Sequence, residues 1–299
     1  HLSGYRQWDQ LDHAATWILF PKNLGTNLSI DETALTNGEL YTIVTNKEAK
    51  GGKGALIAIV AGTKSSDIIR VLLRIPLMQR ERVREVTLDM SNAMDAMIRA
   101  SFPKAIIVTD RFHVQQLVSE AVQEIRLIAR REALKEENAV ILRTRKEGKI
   151  YTPVVYENGD TKRQLLARSF HALFKATSKW TERQKRRMDI LFREFPDIEH
   201  AYNLSMMFRA WYENKTTKEA ARIQLQKWYV KVEQEDIESF VVAATSIRLH
   251  EDTILNYFHR RSTNASAESF NAKLKGFRAL VRGVRDVKFF LFRVGKVYG

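Results

Sequence analysis

Three strand-like segments follow one another near the start of the sequence, and their succession constrains the fold more than any other feature. The runs 28–35 and 39–45 are rich in apolar and β-branched residues, and Asn37-Gly38 lies between them. This dipeptide supplies the positive φ angles of a tight hairpin turn. A glycine-rich stretch then leads into the apolar run 55–61. The segment therefore predicts a three-stranded antiparallel meander.

Two helix-and-strand units follow the meander. Helical spacing at 66–73 precedes a short strand-like run at 85–88, and helical spacing at 91–101 precedes the apolar run 105–109. Short apolar runs joined through helices are typical of buried parallel strands with right-handed crossovers. The predicted order is βββαβαβ, which is the order of the ribonuclease-H-like α/β fold with its mixed sheet.

Beyond residue 115 the pattern becomes helical and stays so, apart from a short extended segment at 150–156. This block predicts a large all-helical insertion, followed by C-terminal helices that complete the core. The predicted segments are a lead-in at 1–27, the first part of the core at 28–115, the helical insertion at 116–255 and the closing helices at 256–299.

The charge of the chain points to a polyanionic partner. Its 299 residues carry a formal net charge of +14, and a surplus of this size favours nucleic acid. Residues 270–299 hold eight basic residues and one acidic residue, interleaved with phenylalanines. This pattern predicts a docked helix with one side facing DNA, although a solvated basic face is the simpler alternative.

The absence of cysteine excludes disulfides, cysteine-type zinc sites and thiol catalysis. No apolar run approaches the roughly 20 residues that a membrane span requires, and no secretory signal is evident. We therefore expect no membrane association and a cytoplasmic protein, held at the nucleoid when it is bound to DNA.

Three carboxylates are candidates for metal-dependent chemistry. Asp31 lies in the first predicted strand and Asp89 follows the fourth, and these two strands are neighbours in the predicted order. Glu268 begins a helical run that would have to pack back on the sheet. Such carboxylates can hold two divalent ions for phosphoryl transfer on DNA, and hard oxygen ligands select Mg²⁺ or Mn²⁺. Taken singly, each of these residues is more often a turn former or a helix cap.

Four stretches of the sequence, and two short strings within them, resemble bacterial insertion-sequence DDE transposases of the ISL type. The strings are DRFHV, which begins at Asp110, and TNxxxExxN, which contains Glu268 and Asn271. The similar stretches are 29–44, 86–114, 179–202 and 256–294.

The resemblance implies a catalytic core split by a helical insertion, with DNA cleavage and strand transfer at the element ends. Asp31 and Glu268 match the first and last catalytic carboxylates. Strand order favours Asp89 as the second, so that these three hold two Mg²⁺ ions, with Mn²⁺ as a substitute. Asp110 and His113 resemble a signature seen after the fifth strand in related transposases and are predicted to support the site; the alternative is that Asp110 binds metal directly.

The sequence departs from the family pattern in two respects. Relatives often have glycine after the catalytic glutamate, where this chain has Ser269. Relatives also typically carry a cysteine-rich, helix-turn-helix region that recognises the element ends, so end recognition is expected on a missing segment or another polypeptide. A homodimer or higher oligomer is expected because two transposon ends must be paired and joined to target DNA.

Basic and amide side chains in two regions are predicted to contact DNA phosphates. They are Arg183, Lys185, Arg186 and Arg187 in the helical block, and Arg261, Asn271, Lys273, Lys275, Arg278, Arg282 and Arg285 near the C-terminus. Two other functions remain open: another ribonuclease-H-like nuclease or resolvase, and a non-catalytic DNA-binding derivative of a transposase.

Overall fold

The computed structural model describes residues 4–35, 38–280 and 286–299. The chain divides into two compact units. The sheet unit comprises His1–Arg111 and His250–Gly299, and the helical unit comprises Phe112–Leu249.

The sheet unit contains a six-stranded mixed sheet with the order β1-β4-β3-β2-β5-β6. Strands β2, β3 and β4 form an antiparallel meander, whereas β5 pairs parallel with both β2 and β6. The strands are β1 Trp17–Leu19, β2 Asn27–Ala34, β3 Leu40–Asn46, β4 Leu56–Ala61, β5 Glu85–Leu88 and β6 Ile106–Thr109. The meander and the parallel neighbours agree with the sequence prediction. Strand β1 was not predicted; it lies in the lead-in and pairs antiparallel with the edge of β4.

The described α-helices are, in chain order, α1 Ser65–Leu72, α2 Leu77–Arg80, α3 Asn92–Ser101, α4 Arg111–Lys146, α5 Lys162–Arg168, α6 Phe170–Leu173, α7 Glu182–Glu194, α8 Pro196–Glu213, α9 Lys218–Glu235, α10 Glu238–Leu249, α11 Glu251–Leu255, α12 Tyr257–Arg260, α13 Ala265–Leu280 and α14 Val287–Tyr298. None of the helices in the described ranges is both long and apolar enough to cross a membrane.

The sheet buries a separate hydrophobic core on each face. Leu28 and Ile30 of β2 pack into a core that includes residues of α1 and α3. Ile43 of β3 packs on the opposite side, in a core that includes Phe270 of α13 and Phe290 of α14. Because successive strand residues point to opposite faces, Asp31 belongs to the face that α13 covers.

The helical unit has its own interior, built around large aromatic side chains. Trp211 and Trp228 are 5% and 1% exposed, and the indole N–H group of each donates to a backbone carbonyl. Helix α8 packs against both α7 and α9. These two tryptophans therefore belong to the core of this unit.

Candidate active site

Three aspartates lie level with one another on neighbouring parallel strands: Asp31 within β2, and Asp89 and Asp110 directly after β5 and β6. Ser29 of β2 is paired with Thr87 of β5, two residues before Asp31 and Asp89 respectively. The last residue pair of β5 and β6 directly precedes Asp89 and Asp110. The ladder continues one step further, since the Asp110 N–H group donates to the carbonyl of the last β5 residue at 2.8 Å. Residues at the same level of a pleated sheet share a face, so the three carboxylates face α13.

Asn271 of α13 holds the first of these carboxylates. Its Nδ2 donates to Asp31 Oδ2 at 2.6 Å, while Asp31 Oδ1 accepts the backbone N–H of Glu32 at 2.8 Å. An ionised carboxylate can only accept hydrogen bonds, which fixes the amide orientation of Asn271. Asn271 lies one helical turn after Glu268 and is 6% exposed. It therefore joins the helix that carries Glu268 to the strand that carries Asp31.

Asn264 joins the same helix to the other side of the site. This residue is fully buried and directly precedes α13. Its backbone N–H donates to Asp110 Oδ1 at 2.9 Å, and its Nδ2 donates to the Ile30 carbonyl at 3.3 Å. Its own carbonyl accepts the backbone N–H of Glu268 at 3.1 Å. The start of α13 is thus attached to both β2 and β6.

This attachment brings a fourth carboxylate to the site. A carboxylate oxygen of Glu268 lies within 4.8 Å of one of Asp110. Asp110 is 1% exposed, whereas Glu268 is exposed. The cap of helix α3 is Ser91, whose hydroxyl accepts a backbone N–H, so the alternative role of Asp89 as that cap is not the arrangement found.

The donor set suits a hard divalent cation. The groups brought together are carboxylate oxygens, the ligands that Mg²⁺ and Mn²⁺ prefer. The buried Oδ1 atoms of Asn264 and Asn271 accept no hydrogen bond from any described residue, which adds neutral oxygen acceptors to the same region. Burial, and then the negative charge of Asp89, raises the pKa of Glu32, as expected where carboxylates crowd together.

A lysine lies on the same side of the sheet as these carboxylates. Lys47 begins a short 3₁₀ turn after β3 and donates from Nζ to Thr87 Oγ1 at 2.5 Å. The same Nζ lies 3.6 Å from a carboxylate oxygen of Glu85. Burial lowers the pKa of the Lys47 ammonium group, while the charges of Glu85 and Asp110 act in the opposite direction.

The C-terminal residues predicted to contact DNA divide into two groups. Lys273 and Lys275 are exposed on α13, although Lys273 also donates to the Gly51 carbonyl at 3.0 Å. Arg261 is partly exposed, with a positive φ of 55°. Arg278 is instead buried, and its guanidinium group binds both carboxylate oxygens of Glu39. Asn271 is also buried, as described above, and Arg282 and Arg285 lie outside the described residues.

In the helical unit, three of the four predicted DNA contacts of α7 are exposed: Arg183, Lys185 and Arg186. The fourth, Arg187, is 7% exposed, and its Nε donates to Asp160 at 2.7 Å. Arg187 is therefore engaged within the protein rather than on its surface. His113 also belongs to this unit, in the first turn of α4, and its supporting role stays a prediction.

Two residues of the site were not identified as functional from the sequence. Asn264 was noted only as part of a string, although its position directly before the helix of Glu268 is a signal for a helix cap. Lys47 gave no signal, because its neighbours Thr87 and Glu85 come from a strand about 40 residues further along the chain.

A family model described as a transposase, of the DDE type found in ISL3 elements, matches residues 28–294. The matched range includes Asp31, Asp89, Asp110 and Glu268. No curated protein and no solved structure matches the chain.

Proposed function

Because the chain belongs to the ISL3-type family of DDE transposases, we propose that it cleaves DNA at the ends of an insertion sequence and joins the freed 3′ ends to target DNA. The family implies DNA as the partner, and the net charge of +14 is suited to it. The observation that carries the proposal is the level row of Asp31, Asp89 and Asp110, with Glu268 on the helix above the same face.

We assign the sheet unit to the ribonuclease-H-like fold, with the helical unit as its insertion. The support is the strand order: counted from β2 along the chain, the strands lie in the order 3-2-1-4-5, with the first three antiparallel and the last two parallel. The predicted segments 1–27, 28–115, 116–255 and 256–299 remain our working division of the chain.

Asp31, Asp89 and Glu268 are assigned as the ligands of two Mg²⁺ ions, which Mn²⁺ could replace. Bound divalent ions supply Lewis-acid stabilisation of the attacking and leaving oxygens of an in-line displacement. Asn271 orients the Asp31 carboxylate. Asp110 has a different role: its Oδ1 receives the backbone N–H of Asn264, which sets the position of Glu268.

The exposed cations near this site have a separate task, which is to bind DNA phosphates. Lys273, Lys275 and Arg261 can do so through charge and hydrogen bonding, without reading sequence. Arg187 and Arg278 are left out of this group because carboxylates inside the protein hold them. We place the protein in the cytoplasm, at the nucleoid when bound to DNA, acting as a dimer or higher oligomer that pairs two ends.

The decisive experiment is Mn²⁺-dependent nicking and 3′-end joining on pre-cut and supercoiled DNA. We expect Asp31→Asn, Asp89→Asn and Glu268→Gln each to lower joining about 1000-fold, because each removes several kcal/mol of transition-state stabilisation. Asp110→Asn should cost about 10- to 100-fold, since a neutral amide oxygen is a weaker acceptor than the carboxylate for the N–H group of Asn264, which positions Glu268. Asp189→Asn is the matched control, because it removes an exposed carboxylate of α7. This variant should join DNA ends as the parent does.

Each other outcome has a distinct meaning. A larger loss for Asp110→Asn than for Asp89→Asn would make Asp110 the second ligand. Hydrolysis without joining would favour a nuclease or resolvase, and DNA binding with no metal-dependent chemistry would favour a non-catalytic derivative. A covalent protein–DNA adduct would contradict the proposed mechanism.

A further inference from the structure

A partly buried lysine lies beside the carboxylate row. The Lys47 side chain is 15% exposed, and it reaches from the turn after β3 across β2 to β5. There its ammonium group donates to Thr87 at 2.5 Å and lies 3.6 Å from Glu85. These two contacts hold the charge of Lys47 at one place on the sheet.

The ammonium group of Lys47 lies one two-residue step along the strand from the proposed ligands. Thr87 and Asp89 are two residues apart, so they share a face of the sheet, and such a step measures about 6.6 Å. Asp31 and Asp110 are level with Asp89. The ammonium group of Lys47 therefore lies one step along the sheet from three carboxylates that repel one another.

We propose that Lys47 is a positioning residue, whose fixed positive charge keeps Asp31, Asp89 and Asp110 together before metal binds and lowers the affinity of the site for divalent ions. The inference rests on the proposed function, because it needs these carboxylates to be a metal site. Its two effects have one cause: the charge that offsets carboxylate repulsion also repels an arriving cation. The effect of Asp110 on the pKa of Lys47 is consistent with this arrangement.

The direction in which replacing Lys47 changes the affinity for Mn²⁺ distinguishes this role from simple structural support. Lys47→Met keeps the length of the side chain and removes its charge, and it should tighten Mn²⁺ binding by about 3- to 10-fold. A residue that merely supported the fold would weaken metal binding when replaced. The metal-free variant should be less stable than the parent, and saturating Mn²⁺ should raise its melting temperature by more than it raises that of the parent.

The experiment is calorimetric titration of the full chain with Mn²⁺ alone, without DNA. Lys47→Arg keeps the charge and should bind Mn²⁺ within about twofold of the parent. Lys53→Met is the matched control, because it removes an exposed lysine whose charge is screened by solvent, and it should leave the affinity unchanged. Unchanged or weaker binding in Lys47→Met, beside a parent that binds, would overturn the proposal.

A second variant covers the case in which Lys47→Met does not fold because Glu85 is left buried without its cation. Lys47→Gln combined with Glu85→Gln removes both charges and keeps the polar contacts. Glu85 lies one step further from Asp89 than Thr87 does, so the double variant should still tighten Mn²⁺ binding, by a smaller factor. If no variant and not even the parent binds Mn²⁺ while folded, the metal site itself is refuted, and this inference with it.

Discussion

Two aspartates are equally buried, yet different groups lie against their carboxylates. Asp110 in the sheet unit and Asp160 in the helical unit are each 1% exposed. The Asp160 carboxylate is bound by the guanidinium groups of Arg168 and Arg187, and Asp110 lies beside the carboxylate of Glu268. Burial by itself would raise the pKa of Asp160, but hydrogen bonds from the two arginines lower it below the ordinary value.

The difference shows how to tell a structural carboxylate from a candidate ligand. When two guanidinium groups bind a carboxylate, the protein itself balances the negative charge of that carboxylate. A carboxylate brought close to another carboxylate gains stability from an added cation. Asp110 and Asp160 do not differ in burial. They differ in their direct partners, since two guanidinium groups bind Asp160 and the carboxylate of Glu268 lies near Asp110.

The largest expected contrast is in stability without metal. Asp160→Asn should lower the free energy of unfolding by about 3–5 kcal/mol, because it leaves the buried Arg187 charge uncompensated. Asp110→Asn should change it by less than about 1 kcal/mol, since the amide oxygen still accepts the Asn264 N–H and repulsion with Glu268 is relieved. Urea denaturation in chelator, with Asp189→Asn as the exposed control, measures both. Equal losses in the two variants would show that Asp110 stabilises the fold as much as Asp160 does.

Added metal should act on the sheet unit's site alone. At a free Mn²⁺ concentration of 100 times the dissociation constant, the parent should gain about 2.7 kcal/mol of stability. Glu268→Gln should abolish most of this gain, and Asp189→Asn should retain it. Thermal unfolding with and without Mn²⁺ is the measurement, and an equal gain in Glu268→Gln would remove that residue from the ligand set.

The sequence was sufficient where local pattern decides structure. The meander, the two crossovers and the neighbouring placement of the strands of Asp31 and Asp89 follow from apolar runs, Asn-Gly and strand order. Strand β1 could not be predicted in this way, because its three residues are too few to display a period of two.

The partners of buried charges could not be predicted for a different reason. A row of basic residues on a helix does not reveal the carboxylates that the fold brings to it. Arg278 meets Glu39 across 239 positions of sequence, and Arg187 meets Asp160 across 27. Both arginines were therefore predicted as DNA contacts, and only tertiary packing shows that they are held inside the protein.

A smaller effect should distinguish orientation of a carboxylate from DNA contact. Asn271→Leu removes the donor to Asp31, and we expect kcat for joining to fall about 10-fold, equivalent to the loss of one hydrogen bond to a charged group. The KM for DNA should change little. Lys275→Gln on the same helix is the contrasting variant; it should weaken DNA binding on all sequences and flatten its salt dependence while sparing kcat. A change confined to KM in Asn271→Leu would return that residue to the DNA surface.

The smallest effect concerns pH, and its sign differs between the two units. Asp160 has a lowered pKa, so its stabilising contribution is present above its unfolded pKa and is lost as pH falls through the folded value. Burial and the charge of Asp89 raise the pKa of Glu32, so its contribution is present below its unfolded pKa and is lost as pH rises through the folded value. The destabilisation caused by Asp160→Asn should therefore shrink as the solution is acidified below about pH 4, where the parent loses the same ion pair.

Glu32→Gln should stabilise the metal-free protein at neutral pH and have no effect on its stability in acid. Free energies of unfolding across this pH range test both signs, and a Glu32→Gln variant that is less stable than the parent at neutral pH would show that its carboxylate is held by positive charge, as that of Asp160 is.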